Sequence, residues 1–184
     1  VLDATTFPAI SQDSIEDVNC IVLQSEWLKE WIMVGRNFVA DDDFRPIMNG
    51  MYIHADACAI EVCATDAHKL VRLINNTVTS EKEASFILPR KSANMVKNLV
   101  ASEKGEVKVS FDDKNIIFEM PTYHMICRQI EGRFPNYNGV IPQNNPYEII
   151  LDRHQFISSI KRIIAFANQG TYLVKLSIST GKMT

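Results

Sequence analysis

The sequence predicts an α+β fold built from antiparallel strands and a few helices. Two observations lead to this prediction: a strand, a helix and three strands follow one another from Val18, and the same order recurs from Ser85. Because the two passages share the order of their elements, we predict a duplicated β-α-β-β-β unit inside one domain.

The first unit opens with a short apolar strand at Val18–Leu23. Residues 24–40 then place large apolar side chains at helical spacing, which predicts a helix with Ser25 as its N-cap. After an acidic run at Asp41–Asp43, three strands of an antiparallel meander are predicted. They lie near Ile47–His54, Ala59–Ala64 and Lys69–Asn75.

The second unit repeats this order. Ser85–Leu88 predicts a strand, and Pro89 stands where a helix tolerates a missing N–H, so a helix is expected over Arg90–Val100. Three further strands follow, with Asp112–Asn115 as a hairpin turn. They are predicted at Val107–Phe111, Ile116–Met120 and Tyr123–Ile130.

A longer repeat indicates that whole domains are duplicated. Phe7-Pro8 recurs as Phe134-Pro135, a displacement of 135 − 8 = 127 residues. After the second copy we expect a strand at Tyr147–Leu151, a helix over 153–167 and a strand at Thr171–Ser179. The predicted organisation is the tail of a first domain at 1–16, a complete domain at 17–143 and a truncated third domain at 144–184, in a polypeptide that continues in both directions.

Composition narrows the class of protein. A hydrophobic fraction of 46% and a charged fraction of 22% are ordinary for a globular protein, and no apolar run is long enough for a membrane span. The start, Val1-Leu2-Asp3, lacks a signal-peptide pattern, so we expect a cytoplasmic protein with four free thiols and no membrane partner. A net charge of −3 argues against a uniformly basic surface that coats nucleic acid.

Basic residues concentrate in the three predicted helices, whereas acidic residues concentrate in the loops. The basic residues of the predicted helices are Lys29, Arg36, Arg90, Lys91, Lys97, Arg153, Lys161 and Arg162. If equivalent helices line one surface, their cations predict sequence-independent contacts with phosphates. The alternative is that these are ordinary solvated helix faces, as most charge runs are.

Four motifs lead to a family. Phe44-Arg45-Pro46-Ile47-Met48-Asn49-Gly50, Ala64-Thr65-Asp66-Ala67-His68-Lys69-Leu70, Leu88-Pro89-Arg90-Lys91 and Glu131-Gly132-Arg133-Phe134-Pro135-Asn136-Tyr137 occur in that order. Together they resemble the middle domain of the bacterial DNA polymerase III beta subunit, the sliding clamp. The resemblance implies the DNA-clamp fold, with helices on one face of the sheets, as part of a homodimeric ring around double-stranded DNA.

The resemblance also implies partners and sites. It implies a non-catalytic processivity factor without cofactors or metal, which tethers the replicative DNA polymerase, the clamp loader and repair proteins through a hydrophobic peptide pocket. The pocket residues carried over are Met48, Thr65, Ala67, His68, Lys69, Leu70, Pro135 and Val140. The family often has glycine where Ala67 stands, arginine where Lys69 stands, and a basic residue where Gly139 stands.

For DNA, the resemblance assigns Arg90 and Lys91 most directly. Lys29, Arg36, Lys161 and Arg162 follow by helix position. A loop that can touch DNA maps to Asp42, Arg45, Pro46 and Ile47, of which Arg45 is the expected contact.

Two other hypotheses about function compete with the sliding clamp. One is a metal or thiol enzyme built on His54, Cys58, Cys63 and His68, although on adjacent strands these side chains alternate faces. The other is an interaction module that shares the fold and binds proteins but not DNA. The sequence contains no glycine-rich phosphate loop, GxSxG or HExxH pattern.

Overall fold

A computed structural model describes residues 19–184 of the chain. Within them, the residues up to Asn138 form one compact unit and Gly139–Thr184 form a second. The predicted domain tail at 1–16 and the Phe7-Pro8 copy of the repeat lie outside the described residues. In the described part of the chain, no helix combines the length and the apolar character needed to cross a membrane.

The first unit contains the duplicated order of elements that the sequence predicts, now with observed bounds. Its first half consists of β1 (Asn19–Gln24), α1 (Ser25–Gly35), β2 (Gly50–Ala55), β3 (Ile60–Thr65) and β4 (Leu70–Asn75). Its second half consists of β5 (Ala84–Pro89), α2 (Arg90–Val100), β6 (Glu106–Phe111), β7 (Asn115–Glu119) and β8 (His124–Arg128).

The eight strands form two antiparallel sheets, and each sheet takes strands from both halves. Sheet 1 has the order β1-β6-β7-β8, and sheet 2 has the order β4-β3-β2-β5. Asn19 pairs with Phe111 between β1 and β6, and Gly50 pairs with Pro89 between β2 and β5. The leading strand of each half therefore completes the sheet of the other half, which ties the two halves into one domain.

One hydrophobic core joins both sheets and both helices. Alternate residues of β2, such as Met51 and Ile53, are buried there together with Ile32 of α1 and Val96 of α2. The two helices also pack against each other. Helix α2 buries only its Ala93, Val96 and Val100 side, as its 3.6-residue periodicity predicts.

Three hairpin turns are stabilised by the same hydrogen-bonding pattern. In each, an aspartate Oδ1 accepts two backbone N–H groups: Asp56 from Cys58 and Ala59, Asp66 from His68 and Lys69, and Asp112 from Lys114 and Asn115. Aspartate at the first position of a turn replaces missing backbone acceptors in this way. The predicted Asp112–Asn115 turn is confirmed.

The first helix is shorter than predicted. It ends at Gly35 instead of Ala40, and the side-chain amide of Asn37 caps it by donating to the Met33 and Val34 carbonyls. Ser25 is not its N-cap: the hydroxyl bonds Glu26 and the carbonyl of Glu103. The strand predicted from Ile47 begins only at Gly50, because Pro46–Asn49 form a 3-10 helix whose start is fixed by the proline backbone.

The second unit has less regular structure than the sequence predicted. Helix α3 spans Arg153–Ile164 and is capped by Asp152, whose Oδ1 accepts the Gln155 N–H at 2.7 Å. The strand expected at Tyr147–Leu151 is absent from this described segment. Of Thr171–Ser179 only Ile178–Ser179 is a strand, β9, paired with β10 at Lys182–Met183.

Candidate functional site

The segment after β8 covers the outer face of sheet 2. The Ile130 N–H donates to the Ile87 carbonyl at 3.0 Å, and the Gln129 side chain accepts the Ile87 N–H at 3.2 Å. Farther along, the ring of Phe134 stacks on Tyr52 of β2, with 4.9 Å between ring centroids. The Glu131–Tyr137 motif thereby anchors this segment to the sheet.

A partly buried polar network fixes the end of the same segment. Tyr137 donates its hydroxyl to Glu61 Oε2 at 2.9 Å, and Arg72 pairs with the same carboxylate from β4. The Arg72 hydrogen bond holds the pKa of Glu61 below its ordinary value. Beneath the network, burial raises the pKa of the Cys63 thiol to about 12, so this thiol is unreactive at neutral pH.

Five of the predicted peptide-pocket residues lie in one place, the β3–β4 hairpin. Thr65 and Leu70 are directly opposite each other where the two strands end. The Thr65 hydroxyl accepts the Ala67 N–H at 3.1 Å and donates to the Lys69 carbonyl at 2.8 Å, so it holds the turn from inside. His68 is exposed, and Lys69 Nζ lies 5.7 Å from the ring centroid of Phe38.

The other three predicted pocket residues come from separate segments. Met48 is half-buried in the 3-10 helix, where its carbonyl accepts the Ala40 N–H at 2.8 Å. Pro135 is half-buried on the outer side of sheet 2, beside Phe134. Val140 belongs to the second unit and is 70% exposed.

Ala67 has a backbone conformation that favours glycine. Its φ is +75°, whereas Ala57, at the same place in the matching β2–β3 turn, is not in the positive-φ region. We expect Ala67→Gly to raise the free energy of unfolding by about 0.5–1 kcal/mol, because relief of strain exceeds the extra backbone freedom of the unfolded chain. Urea denaturation measures this change.

The matched control is Ala57→Gly, which should lower stability by about 0.5–1 kcal/mol since no strain is relieved there. Equal effects of the two substitutions would contradict a strained Ala67.

The DNA residues predicted on α2 are presented to solvent. Arg90 and Lys91 are exposed at its N-terminus, and no acidic residue occurs between Arg90 and Val100. They border a depression of about 500 Å³ that is also lined by Asp41 and Asn94. Asn94 Oδ1 is buried in this region without a hydrogen-bond partner.

The first helix fits the basic pattern less well. Its outermost side carries Glu26 and Glu30, so the generalisation that all three helices are basic is wrong for α1. Lys29 is half-buried and lies roughly a quarter turn around the helix from buried Leu28. Arg36 is exposed just after the helix ends.

In the second unit, Lys161 and Arg162 occupy the last turn of α3 and are exposed. The Arg162 guanidinium donates to Ser159 Oγ at 3.0 Å.

The loop before β2 contains a local ion pair. Arg45 Nε donates to Asp42 Oδ2 at 2.8 Å. The Phe44 N–H and then Arg45 hold the pKa of Asp42 below its ordinary value. Pro46 is exposed, and Ile47 turns toward Gly132, so Arg45 is the side chain of this loop best placed to meet an external anion.

The residues of the competing metal hypothesis are not brought together. Cys58 and His68 lie in the turns at opposite ends of β3, a strand of 6 residues, which separates them by about 20 Å. His54 instead faces the carboxylates of Asp56 and Glu83. Within residues 19–184, no three His, Cys, Asp or Glu side chains form a group that could hold a metal ion.

The sequence analysis did not identify the residues that anchor the segment after β8 to sheet 2. Tyr52, Glu61 and Arg72 anchor the covering segment, yet none was singled out. A signal was present in β2, where Tyr52 and His54 alternate with buried Met51 and Ile53 and so mark its second face.

Comparison with known proteins gives consistent matches. The family model described as the DNA polymerase III beta subunit, central domain, matches residues 22–136, more than half of the chain. A beta sliding clamp of Synechocystis is 26% identical over 193 residues, covering 97% of this chain and 49% of the relative. One from Rickettsia bellii is 30% identical, covering 77% of this chain and 38% of the relative.

Among solved structures, the C. crescentus beta sliding clamp is similar with a TM-score of 0.88 and 25% identity. The match covers 99% of this chain and 50% of that one. The chain thus spans about half the length of these relatives.

Proposed function

This chain belongs to the DNA polymerase III beta subunit family, and from that membership we propose that it is part of a sliding clamp that encircles double-stranded DNA. The observation that supports the DNA contact is α2, a helix with Arg90 and Lys91 exposed and no acidic side chain. Such a surface attracts phosphates without reading bases. The proposed role is topological and not catalytic, because a closed ring stays on DNA through enclosure.

Weak phosphate contacts suit this role. A ring that slides must exchange one set of phosphates for the next, so each contact should be shallow and screened by salt. Exposed side chains such as Lys91 and Lys161 meet this requirement, since they retain their hydration and their rotational freedom. Arg45 adds a contact from the loop before β2.

The second part of the proposal is a peptide pocket beside the β3–β4 hairpin. Leu70 is half-buried at the start of β4, next to a turn that Asp66 and Thr65 hold rigid. A rigid apolar position of this kind can take the anchor residue of a linear motif at low entropic cost. The proposed partners are the replicative polymerase, the clamp loader and repair proteins, and the proposed setting is a cytoplasmic homodimer.

Charge reversal at Lys91 tests the DNA contact. We expect Lys91→Glu in the full-length protein to weaken binding to duplex DNA about tenfold at moderate salt, and to reduce the slope of log K against log salt by about 0.9. Arg162→Glu should act in the same direction. Fluorescence anisotropy of a labelled duplex over a salt series measures both quantities.

The control is Lys114→Glu, which makes the same charge change in the β6–β7 turn of sheet 1. If Lys91→Glu and Lys114→Glu weaken binding equally, α2 does not contact DNA. If neither substitution changes the affinity for duplex DNA and the wild-type protein still binds peptides, the interaction-module hypothesis replaces the sliding-clamp proposal.

A further inference from the structure

Arg45 and Arg90, two of the arginines assigned to DNA, are already paired with carboxylates of one loop. Arg90 Nη1 lies 3.0 Å from Asp41 Oδ2, and Arg45 Nε lies 2.8 Å from Asp42 Oδ2. Asp41 and Arg90 are 49 positions apart in sequence, so the fold brings this pair together. A DNA phosphate that binds Arg90 meets a guanidinium that already has an anionic partner.

The two aspartates differ in how firmly they are held. Asp42 belongs to the loop framework: its Oδ1 accepts the Phe44 N–H, and its backbone bonds the Asn49 side chain through both N–H and carbonyl. The Asp41 side chain is 90% exposed and is free to rotate into solvent. Asp41 can therefore leave Arg90, whereas loss of Asp42 would disturb the loop.

We propose that Asp41 acts as an internal competitor for DNA, occupying at Arg90 the position that a backbone phosphate takes in the complex. The inference rests on the proposed DNA contact of α2. Exchanging a carboxylate for a phosphate at one guanidinium gives little net electrostatic gain, because one ion pair is lost for each one formed. Asp41 thereby keeps the Arg90 contact weak, and a weak contact favours sliding over static binding.

Removal of the competitor tests the proposal. We expect Asp41→Asn to raise affinity for a labelled duplex about two- to fivefold, the range of a single exposed ion pair. The slope of log K against log salt should steepen by up to about 0.9, because Arg90 then neutralises a phosphate without first releasing a carboxylate. Anisotropy titrations of the full-length protein at several salt concentrations give both values.

Two matched measurements separate competition from a general charge effect. Asp113→Asn removes the same charge from the exposed β6–β7 turn and should change affinity less than twofold. In an Arg90→Gln background, Asp41→Asn should have no effect, since the group it competes for is gone. Thermal unfolding of each variant checks that the fold is retained.

The outcomes are distinct. If Asp41→Asn matches Asp113→Asn, or if its gain persists without Arg90, Asp41 is not a competitor even though the chain binds DNA. If no variant binds duplex DNA at low salt, the proposed DNA function fails and the inference fails with it.

Discussion

Leu70→Glu is expected to abolish binding of a clamp-binding peptide of the Gln-Leu-x-Leu-Phe type to the full-length protein. Leu70 is half-buried on the outer face of sheet 2, beside the rigid β3–β4 turn. The substitution removes an apolar contact and leaves a carboxylate that the peptide would have to desolvate, so affinity should fall about 100-fold or more. A titration with fluorescent peptide measures the loss.

Ile74→Glu provides the control for Leu70→Glu. Ile74 is on the same strand and the same face, four residues farther along, and is 50% exposed. The same chemical change at that end of β4 should leave the peptide Kd within about twofold of wild type. Equal losses at both positions, or wild-type protein that does not bind the peptide, would falsify the pocket.

Phe111→Ala is expected to lower the free energy of unfolding by about 3–5 kcal/mol, a large share of the total stability of a domain. Phe111 of β6 is 2% exposed and packs against Phe86 of β5, with 4.5 Å between ring centroids. One ring comes from each sheet, so truncation leaves a cavity where the two sheets meet.

Urea denaturation followed by tryptophan fluorescence measures the effect of Phe111→Ala, because both tryptophans, Trp27 and Trp31, belong to α1 of the same unit. Phe44→Ala is the control: Phe44 is 96% exposed in the loop before β2, and its loss should change stability by less than about 0.5 kcal/mol. A change of similar size in both variants would mean that the rings do not join the sheets.

The elements of the first unit that the sequence predicted correctly depend on interactions between residues close together in the chain. Helix α2 has the bounds that Pro89 and the apolar spacing predict, and the predicted Asp112–Asn115 turn depends on short-range hydrogen bonds. The excess length predicted for α1 has an equally physical cause. Phe38 continues the apolar spacing but reaches the core from a turn after Gly35, and periodicity does not distinguish a helix from a turn that packs similarly.

The candidate sites also contain residues that the sequence could predict and residues that it could not. Motifs of adjacent residues were enough to propose Thr65–Leu70 and Arg90-Lys91 as candidate site residues, because turn chemistry and helix starts are encoded locally. The contact of Tyr137 with the Glu61–Arg72 pair could not be predicted, since Tyr137 is 76 positions from Glu61 and reaches it only when residues 129–138 cross sheet 2.

By itself, the sequence determined the β-α-β-β-β order, its duplication and the family, since these depend on periodicities and on motifs of a few residues. Only the tertiary structure decided that β1 joins β6 and that β5 joins β2, because alternation shows which face of a strand is buried but not which strand lies beside it. It also decided that Asp41 meets Arg90, a pairing between distant segments that depends on how both halves pack around one core.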